Sequence, residues 1–243
     1  MAFHQELAGP GTGMTGGVKA LLTRERLASL RRRRLHGGRN FTKATVDLVE
    51  TDGQTIVIKD FASSPWPVRR LLGPWQLDRE ERSYAALAGV RGTTAFVARV
   101  DRQAIALQYV PGRSLAACRP GELPAGFFDR LDRLLDEIHA RGVAHGDLHR
   151  HDVLVGAEEE PFLVDFSTSV VAPAGAGAVS RLLFRQMSRA DRRSAAKLRR
   201  RFLPGSDAPV PERSGMYRVG GWGRRLLDRF RRAAPKSRSN LGR

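Results

Sequence analysis

The sequence predicts an α+β protein in which a small antiparallel-sheet lobe precedes a short, mainly helical lobe. Three observations predict this. Pairs of short apolar runs separated by turn signals occupy residues 41–61 and 96–110. Residues 127–141 form the most regular helical pattern, with an apolar stripe ended by Gly142. A third pair of runs, at residues 153–155 and 162–164, has an aspartate on either side. The 243 residues, 41% of them hydrophobic, suffice for one two-lobed domain or two small ones.

The first 35 residues predict a flexible Gly-rich start and a basic helix. Residues 9–17 lack the Gly-Lys-Ser/Thr ending of a phosphate loop. Residues 18–35 alternate apolar and Arg positions and stop at Gly37-Gly38, which indicates a basic amphipathic helix. This helix either anchors to a surface or packs on the small lobe.

No feature of the sequence indicates export or a membrane span. No apolar run approaches the roughly 20 residues of a membrane helix, and the start lacks a signal-peptide core. The single cysteine, Cys118, excludes an internal disulfide and suits a reducing cytoplasm.

The first strand pair carries an unusual lysine. Residues 41–50 and 54–61 predict a hairpin around Thr51-Asp52-Gly53. Lys59 ends its apolar run, where a lysine needs a partner. Residues 75–87, after the interruption at Gly73-Pro74, predict a helix with Glu80 and Glu81 near its start.

The aspartates around the third pair of runs suggest chemistry. A hairpin brings its outer ends together, so Asp152 and Asp165 are expected to face each other. Two carboxylates suit a hard cation such as Mg²⁺. Asp147, in the preceding loop, lies within reach of the same point and could accept a proton from an attacking hydroxyl.

These residues resemble the catalytic loop and metal-binding Asp-Phe-Gly of the protein-kinase-like superfamily. Residues 145–147 read His-Gly-Asp in place of His-Arg-Asp, and Ser167 replaces the glycine. The His-Gly-Asp-Leu-His form is closest to bacterial lipopolysaccharide (Kdo/heptose) kinases, RIO-type kinases and aminoglycoside phosphotransferases. The resemblance implies a two-lobed protein-kinase-like fold with a sheet N-lobe and a helical C-lobe.

The resemblance also implies roles and cofactors. Asp147 would be the catalytic base, Asp165 the main metal ligand, and Asp152 would replace a metal-binding Asn. The cofactors would be ATP and Mg²⁺ or Mn²⁺. Lys59 would hold the ATP phosphates with Glu80 as its partner, or Glu81 in reserve. Backbone groups of the hinge residues would bind adenine: Gln108, Tyr109 and Val110. The expected Gly-rich phosphate loop, between residues 35 and 46, is degenerate.

The second half completes the predicted organisation. Residues 170–179 predict a flexible segment, and residues 181–187, 190–202 and 222–230 predict separate helices. The chain divides into a start at residues 1–35, an N-lobe and hinge at 36–110, a C-lobe with the catalytic loop at 111–203, and a basic extension at 204–243.

The net charge of +17 is concentrated at the two ends. Residues 181–243 carry 19 basic and 4 acidic residues, and residues 1–43 carry 9 and 2. Such flanks either bind an anionic membrane surface, a lipopolysaccharide precursor or nucleic acid, or are solvated faces. No motif beyond charge supports nucleic-acid binding.

The prediction is an ATP-dependent kinase acting on a hydroxyl of a lipopolysaccharide core sugar or of protein Ser/Thr. A cationic aminoglycoside suits the basic C-terminal part less well. The alternative is a catalytically weak pseudokinase or nucleotide-binding scaffold that docks on membrane or RNA. The predicted location is the cytoplasm, with the inner face of the membrane as a peripheral site.

Overall fold

The computed structural model describes residues 22–36, 44–51 and 53–206. The predictions for the Gly-rich start, the phosphate loop and the last helix and tail lie outside these residues.

A five-stranded antiparallel sheet forms the first lobe, with strand order β1-β2-β3-β5-β4. A short helix, α1, precedes it. The bounds are α1 Arg24–Ser29, β1 Arg32–His36, β2 Thr45–Thr51, β3 Gln54–Asp60, β4 Phe96–Asp101 and β5 Ala104–Gln108.

The prediction of a single basic helix over residues 18–35 is wrong for its second half, which contains a strand. Within residues 22–36, the only helix is α1, which is capped by the Thr23 side chain, while β1 pairs with β2 at the edge of the sheet. Arg34 supports this pairing by an ion pair of 3.0 Å with Asp47. An Arg-rich run has no strong preference for helix or strand, so the long-range pairing decides. Leu22 and Leu27 pack against the sheet.

Helix α2, Gly73–Ala86, begins earlier than the prediction of residues 75–87. The π-helical turn Val68–Leu72 leads directly into it. Pro74 is tolerated because it lies in the first turn, where its missing N–H has no intrahelical partner. Gly73 is needed for packing, since a Cβ there would lie 2.7 Å from Cγ of Phe61.

The second lobe contains two long helices and short strands. Helix α3, predicted over residues 127–141, spans Ala125–Ala140 and buries its apolar stripe. The predicted hairpin is confirmed, with Val153 opposite Leu163. The bounds are β6 Arg113–Ser114, β7 Val143–Ala144, β8 Val153–Val155, β9 Pro161–Leu163, β10 Val170–Val171 and α4 Ala178–Phe202.

Two predictions for the segment after Ser167 are wrong. Residues 170–171 form a strand, β10, that pairs antiparallel with β7. The two helices predicted for residues 181–202 are one helix, α4, of 25 residues. No glycine or proline interrupts it, and a serine at position 188 does not end a helix.

The two lobes share one hydrophobic core. Its buried members include Leu77 and Ile105 from the first lobe and Phe127, Ile138 and Phe166 from the second. The same core includes Val153 of β8 and Leu163 of β9, so it joins the sheet to the β8–β9 hairpin. None of the helices described is both long and apolar enough to cross a membrane.

Candidate active site

Lys59 bridges the two lobes. It lies on β3, and its Nζ is 2.5 Å from Oε1 of Glu80 and 2.8 Å from Oδ1 of Asp165. Only 12% of its side chain is exposed. Burial alone would lower the pKa of Lys59, but the charges of Asp165 and Glu80 outweigh burial and raise it above the ordinary value. The amine is therefore held as a cation.

Glu80 of α2, and not Glu81, forms the ion pair with Lys59. Its side chain is buried and also accepts a hydrogen bond of 3.1 Å from the Tyr84 hydroxyl. Glu81 instead pairs with Arg99 at 3.0 Å. Positions 80 and 81 differ by about 100° around a helix, so only one can face the sheet.

Asp165 has a left-handed backbone, with φ of 67°. Among side chains that carry a Cβ, Asp and Asn tolerate this region best. The residue follows β9 and precedes the short 3₁₀ turn Phe166–Thr168. The charge of Lys59, with hydrogen bonds from Lys59 and Ser167, holds the pKa of Asp165 well below its usual range.

Asp152 is a largely buried carboxylate at the other end of the hairpin. Burial raises its pKa to about 6, and the charge of Asp165 adds to the effect. The backbone N–H of His149 donates to its Oδ2 at 2.8 Å. Its own carbonyl accepts from Val164 N at 2.9 Å, which fixes it beside the end of β9.

Asp147 lies in the same loop and is about half exposed. His149 stands between the two loop aspartates. Its Nε2 is 3.6 Å from Oδ1 of Asp147, and its Nδ1 is 3.6 Å from Oδ2 of Asp152. No role was predicted for His149, although it precedes Asp152 by only three residues.

The donor set fits a divalent cation that is shared with phosphate. Asp152 and Asp165 offer hard oxygen ligands at the two ends of the β8–β9 hairpin. Within the described ranges, no cluster of three or more His, Cys, Asp or Glu side chains is arranged to hold a metal. Water and phosphate oxygens would therefore complete the coordination of Mg²⁺.

Asp191 of α4 organises the catalytic loop. Its fully buried carboxylate accepts the backbone N–H groups of His145 and Gly146, each at 2.8 Å. His139 Nε2 lies 3.0 Å from the same carboxylate. Sequence reasoning missed this residue. The available signal was that Asp191 is the only acidic residue in the Arg-rich α4.

Gly146 explains the departure from His-Arg-Asp. Its φ is 87°, and a Cβ at this position would lie 2.7 Å from the carbonyl oxygen of Thr168. The Thr168 hydroxyl in turn donates to the His145 carbonyl at 3.1 Å. The catalytic loop and the segment after Asp165 therefore approach too closely for any side chain at position 146.

Helix α2 is also tied to the segment after Asp165. Ser83 and Ser169 are both buried, with their hydroxyl oxygens 2.6 Å apart. Tyr84 packs edge-on against Phe166, with ring centroids 5.4 Å apart. These contacts fix Glu80 relative to Asp165, and hence fix both partners of Lys59.

The hinge offers fewer free backbone groups than predicted. Gln108 N–H donates to Ala95 O at 2.9 Å, and Tyr109 N–H donates to Thr55 O at 3.3 Å. The Gln108 carbonyl accepts from the Thr94 hydroxyl at 2.6 Å. Val110 N–H has no hydrogen-bond partner in the described part of the chain, so it is the donor available to a ligand.

Comparison with solved structures shows the same fold. The Rio2 kinase from Chaetomium thermophilum matches with a TM-score of 0.57 at 17% identity, over 81% of this chain and 67% of that one. Its ADP/Mg²⁺–phosphoaspartate complex matches with a TM-score of 0.54 at 17% identity, over 81% and 65%. This chain thus spans about two thirds of the kinase's length. The predicted protein-kinase-like fold is confirmed.

Comparison by sequence identifies the family. No curated protein matches the chain. The model of the phosphotransferase enzyme family matches residues 75–211, which include most of α2, the predicted hinge, the loop that contains Asp147, and α4. This chain belongs to the phosphotransferase enzyme family, within the protein-kinase-like superfamily that its catalytic loop resembles.

Proposed function

We propose that the protein is an ATP-dependent phosphotransferase that moves the γ-phosphoryl group to a hydroxyl acceptor. The observation that carries the proposal is the position of Lys59. Its cationic Nζ lies between Glu80 and Asp165, at the junction of the sheet and the loop that holds Asp147 and Asp152.

Charge placement supports a role for Lys59 and the hairpin aspartates in phosphate binding. Phosphoryl transfer depends on positioning and on neutralising phosphate charge. Lys59 supplies one fixed cation. Asp165 and Asp152 would hold Mg²⁺, which would supply further positive charge to neutralise the phosphates. The Rio2 kinase with the same fold is recorded as a complex with ADP, Mg²⁺ and phosphoaspartate, which supports this cofactor pair.

Asp147 is the group proposed to orient the acceptor hydroxyl. Unlike Asp152, it is about half exposed, so an incoming acceptor can reach it. Asp165 is ionised and paired with Lys59, so we assign the hydroxyl proton to Asp147. Replacing Asp147 with Asn should therefore lower turnover while preserving nucleotide binding.

Calorimetry of Mg²⁺-dependent ATP binding tests the proposal. Asp165→Asn and Lys59→Met should each weaken MgATP binding at least roughly tenfold, because each loses a charge-assisted contact. Asn is chosen at position 165 because it tolerates the left-handed backbone. Lys197→Met and Asp136→Asn are matched controls, since both side chains are exposed and distant from this cluster.

Two outcomes would contradict the proposal. One is the absence of MgATP binding by the unaltered protein. The other is equal binding by Asp165→Asn, Lys59→Met and the controls. Binding without turnover, over a full panel of acceptors, would instead favour the nucleotide-binding scaffold.

The acceptor is proposed to be a hydroxyl of either a lipopolysaccharide core sugar or a protein Ser/Thr. Labelled ATP should be offered with lipid-linked core sugar, with a generic protein substrate and with an aminoglycoside. Transfer should occur to one of the first two and depend on Asp147. Exclusive transfer to the aminoglycoside would contradict this choice of acceptor.

A further inference from the structure

The first three turns of helix α4 extend beyond the packed part of the second lobe. Along α4, the first buried residue is Ala190, and the buried positions continue from there to Phe202. Residues 178–189 therefore form a segment of about 18 Å that the described lobe does not enclose. Its inner side is held by Phe184, whose ring is edge-on to His139 at 6.2 Å between centroids.

Three large apolar side chains of this segment face solvent. Val179 is 73% exposed, Leu182 50% and Leu183 42%. Their helical spacing places all three within an arc of about 100°, so they form one apolar face. Apolar surface of this kind is unfavourable in water, and a patch of it marks a contact with a partner or with lipid.

A basic face lies beside the apolar one. Arg181, Arg185 and Arg189 follow one another at intervals of four residues, and all three are exposed. Arg185 and Arg189 form no ion pair or hydrogen bond with any residue that the structure describes. Residues 178–190 contain no acidic residue. This end of α4 is therefore amphipathic and carries uncompensated positive charge, which favours an anionic occupant.

The composition of the chain argues against an occupant from the protein itself. Residues 1–21 carry one basic and one acidic residue, residues 37–43 carry two basic ones, and residues 207–243 carry ten basic and three acidic ones. None of these segments brings net negative charge to the arginines. A second copy of α4 would bring more positive charge. The anionic occupant must therefore come from outside the chain.

The shape of the segment favours a lipid bilayer over a protein. The apolar face belongs to the outer side of a protruding helix, so a protein partner would need a groove of its own to bury it. A bilayer accepts projecting aliphatic side chains, and anionic headgroups attract the arginines beside them.

We propose that residues 178–189 dock on the surface of an anionic lipid bilayer. Val179, Leu182 and Leu183 enter the outer part of the acyl chains, and the three arginines lie at the level of the headgroups. An apolar face beside a basic face is the pattern of helices that lie in a membrane interface without crossing it.

Docking would bring the bilayer close to the loop that contains Asp147. Met187 lies one turn after Leu183, and its Sδ is 3.7 Å from the position that a Cβ on Gly146 would occupy. Gly146 immediately precedes Asp147. This placement favours an acceptor hydroxyl carried by a lipid, a consequence that rests on the proposed function. The docking itself does not depend on it.

The test is the emission of an environment-sensitive NBD fluorophore placed on the docking segment of the full chain. Cys118, the only cysteine, is buried and is replaced by Ser, and the label is attached to Leu182→Cys. Phosphatidylcholine vesicles that contain phosphatidylglycerol should shift the emission to the blue with saturation, and phosphatidylcholine alone should not. The same label on Arg200→Cys, exposed and about 27 Å further along the helix, should not respond.

Matched double variants separate the two faces in vesicle sedimentation. Leu182→Ser with Leu183→Ser should weaken binding roughly tenfold or more, and so should Arg185→Gln with Arg189→Gln. Arg185→Lys with Arg189→Lys should retain binding, because a bilayer responds to charge. A protein carboxylate that pairs with both nitrogens of a guanidinium would not accept lysine. All four positions are exposed, so the fold should be unaffected.

The proposal would be overturned if the label at position 182 did not respond to phosphatidylglycerol, or if the label at position 200 responded equally. Unchanged vesicle binding in the Ser and Gln pairs would also overturn it, because lipid would then bind elsewhere on the chain. Loss of binding in the lysine pair would replace the bilayer by a protein partner. Since the readouts need neither ATP nor transfer, failure of docking and failure of the proposed function are distinguishable.

Discussion

Single carboxylates in this protein serve different purposes according to their surroundings. Asp165 is ionised because Lys59 lies beside it, whereas burial raises the pKa of Asp152 to about 6. Asp191 serves neither metal nor phosphate. It accepts two backbone N–H groups of the catalytic loop and contacts His139, and so fixes the loop from beneath.

Replacing Asp191 with Ala should destabilise the protein by about 2–5 kcal/mol, because the N–H groups of His145 and Gly146 become buried without a partner. Urea unfolding measures the loss. Asp129→Ala is the control, since Asp129 forms an exposed pair with Arg199 and should cost less than about 1 kcal/mol. A cost for Asp191→Ala as small as the control's would show that the carboxylate does not hold the loop.

The positions of individual residues were predictable where the sequence places them around a local motif. The aspartates at 147, 152 and 165 belong to one loop and one hairpin, so spacing alone suggested their proximity. Asp191 is different. Its partners lie 45, 46 and 52 residues away. Being the only acidic residue of α4 sets Asp191 apart, but nothing in the neighbouring sequence shows which groups it contacts.

At the scale of elements, close backbone contacts shape the site. Gly146 and Thr168 belong to the two loops that carry Asp147 and Asp165. Their contact leaves no room for a Cβ at position 146. A glycine in place of the arginine of the His-Arg-Asp pattern is thus a packing requirement of this loop pair.

Replacing Gly146 with Ala, and comparing it with a control glycine, separates the energetic cost of the clash with Thr168 from the cost of a positive φ. Gly89 is the matched control, because its φ of 81° is similar and a Cβ there would meet nothing within 4 Å. Gly89→Ala should cost about 1–2 kcal/mol of unfolding free energy through φ alone. Gly146→Ala should cost at least about 1 kcal/mol more, by urea denaturation. Equal costs would show that the loops separate without penalty.

Elements with a clear period or clear end signals were predicted well. Helix α3 has an apolar stripe and a glycine stop, and the β8–β9 hairpin has two short apolar runs. Residues 32–35 were included in the helix predicted for residues 18–35 because the apolar positions before them have helical spacing. Arg suits helix and strand alike, and the strand over residues 32–36 depends on pairing with β2. Strand β10 is only two residues long, and its pairing with β7 is equally invisible in local sequence.

At the scale of the whole molecule, ion pairs attach helix α1 to the sheet. Arg24 of α1 contacts Asp60 at the end of β3 at 2.9 Å and Asp101 at the end of β4 at 2.5 Å. Leu22 and Leu27 pack in the same region. The stability of the first lobe therefore includes a contribution that depends on pH.

The acid response of the molecule should reveal this attachment. Burial alone would raise the pKa of Asp101, but hydrogen bonds from Arg24 and Gln103 N–H outweigh it and lower the pKa. The stabilisation is therefore complete above the unfolded value, about 3.9, and is lost as the pH falls towards the lower folded value.

The measurement is the unfolding free energy of the unaltered protein and of Asp101→Asn at pH 6 and pH 3. The variant should be less stable at pH 6, and the difference should shrink at pH 3. A difference that stays constant with pH would assign the effect to packing instead. Comparing the two proteins cancels the protonation of other carboxylates.

The ion pairs of Lys59 also have a consequence for covalent labelling. Amine-directed acylating reagents react with the neutral form of lysine. Two carboxylates keep Lys59 protonated and mostly shielded from solvent, so it should be acylated far more slowly than the exposed Lys197. Because Asp165 contributes to that protection, Asp165→Asn should make Lys59 more reactive. The acylation rate of the Lys59 amine can be measured by mass spectrometry of the peptide that contains it. This rate reports whether the ion pairs of Lys59 with Glu80 and Asp165 still connect the two lobes.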